Sequence, residues 1–175
     1  MSTEINDDYD ISSLKKKKKK NSRAKGSTFE RDIAKLLNKR FNTSTFARTP
    51  GSGAFASTHT LPEHLQIHGD LITPANFKYC LECKKGYNKE SLYSLFNYSS
   101  DTWKFIEQAG KDAKRAGKVP MVIFKQDRRE ILAIVPSYII YLNNLKSIEI
   151  QKEDSKYRIY LLKDLLKEED YAWID

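Results

Sequence analysis

An α/β domain built around a mixed β-sheet is what the 175-residue sequence predicts, and three observations predict it. Helical and strand-like stretches alternate in the order helix, strand, hairpin, helix, strands, an arrangement that packs helices against a sheet. No internal repeat divides the chain. With 39% hydrophobic residues the length suits one compact domain plus a shorter flexible piece, and leaves little room for two cores.

The elements follow in order. Residues 1–25 hold an acidic patch (Glu4, Asp7, Asp8, Asp10), the run Lys15 to Lys20, then Arg23 and Lys25, with almost nothing apolar to bury; this reads as a disordered basic tail. From Ser27, the residues Phe29, Ile33, Leu36, Leu37 and Phe41 recur at helical spacing, and Ser27 with Glu30 three residues on has the form of a capping box. The expected helix is Ser27 to Phe41. Thr43 to Arg48 reads as a strand, and Thr49-Pro-Gly-Ser-Gly53 opens a long loop to His68, of the length usually given to functional or mobile loops. Gly69 to Thr73 and Phe77 to Lys84, joined across Pro74-Ala-Asn76, read as a hairpin. Asp101 can cap a helix to Ala116 that turns Trp103, Ile106, Gly110 and Ala113 inward and ends at Gly117. Val119 to Lys125 and Glu130 to Val135 read as strands about the turn Gln126-Asp-Arg128, followed by a Tyr-rich helix near Ser137 to Asn143. Ser147 to Asp175 offers one or two short strands and a terminal helix. The domain division expected is a tail (1–25), a core (26–142) and a C-terminal extension packed on it (143–175).

A formal charge of +8 points to an anionic partner, nucleic acid above all, without separating an enzyme from a binder. No apolar run reaches membrane-spanning length and the start lacks the layout of a secretory signal. The expected compartment is the cytoplasm, or the nucleus in a eukaryotic host. Cys80 and Cys83 lie three apart in a strand pattern and so face opposite ways, which makes them small buried residues of a reducing compartment rather than half a metal site.

The sharpest chemical feature is Asp70 with Glu82-Cys-Lys84 (Asp-x₁₁-Glu-x-Lys). Alternation puts Glu82 and Lys84 on one face, and the hairpin brings Asp70 back to their level. Two carboxylates held close repel unless a cation lies between them, and Mg²⁺ prefers carboxylate oxygens. Such an ion polarises a phosphate and acidifies a bound water, while Lys84 orients that water or steadies the developing charge. The plain reading, a strand with charges facing solvent, weighs as much for this spacing taken alone.

Context adds to it. In order, Lys25-Gly-Ser-Thr-Phe-Glu30-Arg31, Arg48-Thr-Pro-Gly-Ser52-Gly, Gly69-Asp70-Leu and Leu81-Glu82-Cys-Lys84 resemble the archaeal-type Holliday junction resolvases of the PD-(D/E)XK nuclease superfamily, over about residues 25–125. The resemblance implies a restriction-endonuclease-like core, a central mixed sheet flanked by helices. It also implies a homodimeric Mg²⁺-dependent endonuclease that cuts four-way DNA junctions symmetrically, with Mn²⁺ acceptable to the same hard ligands. On the matching positions Glu30, Asp70 and Glu82 are the metal ligands, Lys84 the catalytic lysine, and Ser52 part of a catalytic loop. Arg31 and Arg48 contact phosphates, and Gln108 matches a glutamine on the helix after the catalytic strand. Two departures are a longer stretch between Arg48 and Asp70 and a chain that continues well past the shared core.

Each of these has a plainer reading. Glu30 completes a capping box, the arginines are solvated, and Pro50, Gly51 and Gly53 make a turn. Lys25 and Lys85 flank the motifs as further candidate DNA contacts. Lys104, Gln108, Lys111, Arg115 and Lys118 form a stripe that either follows a duplex backbone or simply faces water. His59, His64 and His68 share one loop; without a third soft ligand, phosphate contact or plain exposure outweighs zinc. Phe96, Tyr98 and Trp103 either stack on bases, pack an interface, or belong to the core. The rival classes are a restriction- or repair-type nuclease on another DNA, and a non-catalytic nucleic-acid binder that keeps the scaffold; the intact acid and lysine set argues against the binder. Lys, Asn and Tyr richness suits a phage of an AT-rich bacterium.

Overall fold

Strand β4, Val119–Lys125, explains the architecture: Met121 and Ile123 point into one core, Val122 and Phe124 into another, so the strand is covered on both faces and reads as a near-continuous apolar run. The computed structural model describes residues 22–50, 68–139 and 145–175. In chain order they form α1 (Ser22–Arg40), β1 (Ala47–Arg48), β2 (Leu71–Ile72), β3 (Tyr79–Lys85), a 3₁₀ turn (Tyr93–Phe96), α2 (Asp101–Ala116), β4, β5 (Ile131–Pro136), β6 (Ser147–Lys152), β7 (Ser155–Leu161), a short α3 (Leu162–Leu165) and a last 3₁₀ turn (Asp170–Ala172). Five strands make one sheet in the order β3-β4-β5-β7-β6, parallel between β3 and β4 and antiparallel elsewhere. This is the mixed α/β sheet flanked by helices that the sequence predicts.

Helix α1 buries Phe29, Ile33 and Leu37, four residues apart, against one face together with Phe46, Phe77, Tyr79 and Trp173. On the other face α2 supplies Trp103, Phe105, Ile106 and Ala109. Gly110 is half-exposed, its expected inward place taken by Ala109. Asp101 opens α2, but the capping position falls on Ser100 without a side-chain bond; Glu90 Oε2 instead accepts from Thr102 N (3.2 Å) and Thr102 Oγ1 (2.7 Å), placing a negative charge at the helix start. Gly117 closes the helix at φ 63°, as its sequence position predicts.

Four expectations change. Helix α1 already includes Ser22–Lys25, which are helical rather than tail, and Ser27 Oγ and Thr28 Oγ1 donate back to Ala24 O within the helix; there is no capping box at Ser27. The predicted hairpin is replaced by a pair between β1 and β2 (Ala47↔Ile72, Arg48↔Leu71), with Asp70 N to Leu81 O (2.8 Å) tying that pair to β3. The strand expected from Thr43 shrinks to Ala47–Arg48, because Asn38 takes both backbone groups of Phe46 on its side-chain amide (2.9 and 2.8 Å). After β5 the described residues Ser137–Ile139 form a turn, and the remainder of the expected Tyr-rich helix lies outside the described residues.

The C-terminal stretch supplies two of the five strands and sets Trp173 between Phe41, Phe77 and Tyr79. Arg40, in the last turn of α1, fastens it by donating to Leu166 O and Glu168 O (both 2.7 Å) and pairing with Asp170 (2.9 Å). Replacing Arg40 with methionine keeps the aliphatic packing and removes these bonds, so we expect a loss of about 1–2 kcal/mol, read from the midpoint of urea unfolding.

Candidate active site

The site is assembled by three segments that meet at the C-terminal end of β3. Gly69, at φ 76°, lets the chain approach β3 so closely that a Cβ there would stand 2.8 Å from Leu81 O and 2.9 Å from Cys80 Sγ. Asp70 is thereby held beside the strand, its Oδ2 accepting from Cys83 N at 2.7 Å. Glu82 and Lys84 project from β3 two residues apart and form an ion pair; Glu82 is 2% exposed. From α1, Glu30 reaches across and pairs with Arg48 of β1. Lys84 Nζ donates to Gln108 Oε1 on α2 (3.2 Å) and lies 5.5 Å from the centre of the Phe105 ring.

Burial dominates the electrostatics. It raises Asp70 to about 6, helped by Glu30 and opposed by the Cys83 N–H. It raises Glu82 to about 7, with Asp70 adding to the rise and Lys84 working against it. Burial also disfavours the Lys84 ammonium, yet Glu82 and Asp70 outweigh it, so that Lys84 holds its proton more firmly than a free lysine. Cys80 and Cys83 are both buried free thiols pushed upward by desolvation, as expected of packing residues.

These groups line one cleft of about 650 Å³. Of the sequence-predicted residues, Lys25, Glu30, Arg48, Asp70, Glu82, Lys84, Lys85 and Gln108 all border it. Arg31, Lys111 and Arg115 are exposed on α1 and α2 and do not; Arg115 pairs with Asp112 (3.7 Å). Lys118 is bonded to Thr73 Oγ1 (2.8 Å) and Pro74 O (2.9 Å), a structural contact. Ser52, His59 and His64 lie outside the described residues, and His68 is half-buried. Trp103 belongs to the core, its Nε1 donating to Leu95 O (2.9 Å), whereas Phe96 and Tyr98 are exposed. Sequence reasoning missed Arg23, Gly26, Tyr87, Asn88 and Asp127 on the cleft wall. Gly26, next to Lys25 in a quoted motif, and Arg23, in the basic stretch ahead of it, gave some signal; Tyr87, Asn88 and Asp127 sit in polar turns and connections.

In this structure, which holds no metal ion, the three carboxylates expected as ligands are not gathered around one point. Among the described residues no three His, Cys, Asp or Glu side chains stand together closely enough to hold an ion. Glu30 is turned toward Arg48 and Glu82 toward Lys84, so that each acid is neutralised by a side-chain cation. The donor set still fits a hard divalent ion: Asp70 and Glu82 offer only carboxylate oxygens, are largely buried, and Asp70 raises the proton affinity of Glu82, a repulsion that a cation relieves.

A mixed sheet flanked by helices, carrying an acid and a Glu-x-Lys pair at the mouth of a cation-rich cleft, defines the PD-(D/E)XK class of nucleases, which generally use divalent metal ions. The model of one family in that class, described as "Phage putative PDDEXK endonuclease", matches residues 21–173, and the chain belongs to this family. It is also 31% identical over 154 residues to Protein D14 of Escherichia phage T5, covering 83% of this chain and 91% of that protein. No solved structure matches. The chain is thus a nuclease by family, with DNA the implied substrate. No helix among the described residues is long and apolar enough to cross a membrane.

Proposed function

We propose that the protein is a Mg²⁺-dependent endonuclease that resolves four-way DNA junctions by symmetric phosphodiester hydrolysis, acting as a homodimer in the cytoplasm of a phage-infected cell. The observation that carries this reading is the meeting of Glu30, Arg48, Asp70, Glu82 and Lys84 in one cleft, from the same motifs and in the same order that resemble the junction resolvases. Asp70 and Glu82, with Glu30 once it leaves Arg48, would hold the ion. A divalent ion bound there would supply Lewis-acid polarisation of the phosphate and a lower pKa for the attacking water.

The chain's own groups do the rest. Lys84, kept charged by Glu82 and directed by Gln108, stands where it can orient a water and stabilise the extra negative charge on the phosphate. Arg23, Lys25, Arg48 and Lys85 bring further positive charge to the cleft and serve as backbone contacts that position the strand without reading sequence. Lys25→Ala and Lys85→Ala should therefore weaken binding about equally on every DNA. Each should also reduce the slope of log affinity against log salt by about 0.9, measured by fluorescence anisotropy over a salt series.

The deciding experiment incubates the protein with labelled four-way junction, linear duplex and single strands, with Mg²⁺ or with EDTA. Symmetric, metal-dependent nicking of the junction alone is the expected result, together with a dimer by light scattering, since two sites must face across the junction. Cleavage of every duplex would keep the nuclease and discard the junction; tight binding without cutting would leave a binder.

A further inference from the structure

At the lip of the cleft stands Tyr87, the one exposed aromatic side chain among the described residues that line it. Its backbone is at φ 51°, a conformation that bulky side chains avoid and that persists only where the surroundings impose it. Here they do. Gln126 Nε2 donates to Tyr87 O at 3.1 Å, and next door Asn88 and Asp127 exchange two bonds, Asn88 Nδ2 to Asp127 Oδ2 at 3.0 Å and Asp127 N to Asn88 Oδ1 at 2.9 Å. The ring meets Phe105 in a T-shaped contact with centroids 4.7 Å apart, and Phe105 is the ring over which Lys84 lies. Despite that brace Tyr87 remains 45% exposed.

A half-exposed aromatic ring, carried on a strained and clamped backbone and braced beside the lysine proposed to meet the scissile phosphate, is poorly explained by packing, because the same brace against Phe105 could be supplied without leaving so much apolar surface in water. We propose that Tyr87 forms a subsite on which an unstacked base next to the cleavage point stacks. Rigidity is what such a platform needs, since a ring already fixed in place loses little entropy on binding. Stacking on one aromatic side chain is tolerant of base identity and needs a base free of its neighbours, so the subsite reads disruption of the helix rather than sequence. A paired, stacked duplex offers the ring nothing; a bulge or a branch point does. This inference rests on the proposed DNA-cleaving role of the cleft and adds how that cleft recognises an irregular duplex.

The test uses the full chain with Ca²⁺ in place of Mg²⁺ and two probes, a duplex carrying one unpaired 2-aminopurine and the same duplex fully paired. The wild type should quench the unpaired 2-aminopurine and bind that duplex about tenfold more tightly than the paired one. Tyr87→Phe should keep both properties. Tyr87→Leu should lose the quenching and the preference while retaining its affinity for paired DNA. Tyr87→Gly, which relieves the positive φ, should melt no lower than Tyr87→Leu and show the same loss, so that misfolding cannot account for the result. Persistence of the preference in both the leucine and glycine variants overturns the subsite, and so does an equal loss on both duplexes, which would make Tyr87 a brace for Lys84 alone. A wild type that binds neither duplex overturns instead the DNA-cleaving reading beneath it.

Discussion

Glu82→Gln is expected to lower metal-dependent DNA cleavage by at least about a hundredfold with little change in folding. The side chain is buried and glutamine preserves its shape, so the fold is kept although the ion pair with Lys84 is lost. What the substitution removes is the negative charge that strengthens Lys84's hold on its proton and that, with Asp70, attracts a cation into the cleft. Single-turnover cleavage of labelled DNA, with a thermal melt beside it, provides the measurement. A rate within tenfold of the wild type would take Glu82 out of the reacting centre.

The same pair of acids gives the metal-free protein an unusual pH dependence. Asp70 and Glu82 bind protons more tightly folded, at about 6 and about 7, than unfolded, where 3.8 and 4.5 apply. Between roughly pH 4 and 7 the native state therefore holds more protons than the unfolded state, and stability falls as pH rises. The contribution is complete below the unfolded values and gone above the folded ones, with a size on the order of a few kcal/mol. Urea unfolding in EDTA should show higher stability at pH 5 than at pH 8, and Glu82→Gln should flatten much of the difference. The cleft is thus built at the expense of stability at neutral pH, a cost that a bound cation would offset.

What could be read from the sequence follows the range of the interactions. β3, α2, β4 and β5 are marked by local pattern: alternation around Glu82, a helical stripe ending at Gly117, and two apolar runs about Gln126 to Arg128. Glu82 and Lys84 are legible for the same reason, since strand geometry alone puts them on one face, whereas Asp70 is placed beside them in the sequence by a hairpin that does not form and by the resemblance. The misreadings are non-local. Nothing near Leu71 reveals that its strand partner is Arg48, on the far side of the long loop in sequence, rather than a residue of β3. The lysine-rich composition ahead of Gly26 hides the helical character of Ser22–Lys25. Trp173 enters the core beside Phe77 and Tyr79 through contacts almost a hundred residues distant in sequence. In the site itself, the pairing of Glu30 with Arg48 joins α1 to β1 and has no signature in either segment, and Tyr87 is shaped by Gln126 and Asp127 from a turn some forty residues away.

Gly69→Ala should destabilise the protein by about 2–4 kcal/mol and reduce cleavage even in the fraction that remains folded. Two separate effects combine there. At φ 76° an alanine is strained wherever it sits, and its methyl would also press on Leu81 O at 2.8 Å and Cys80 Sγ at 2.9 Å. Leu81 O is the acceptor for Asp70 N, so relief of the clash can come only by lifting the segment that carries Asp70 away from β3 and loosening its bond to Cys83 N. Gly86 separates the two effects: at φ 102° it has the strain, but nothing lies within 4 Å of a Cβ built there. Gly86→Ala should therefore cost only about 1 kcal/mol. Urea unfolding of both variants, with cleavage measured where each is folded, gives the comparison. Equal losses in the two would mean that φ strain alone governs Gly69, and a Gly69→Ala protein as active and stable as the wild type would show that Asp70 is not held against β3 at all.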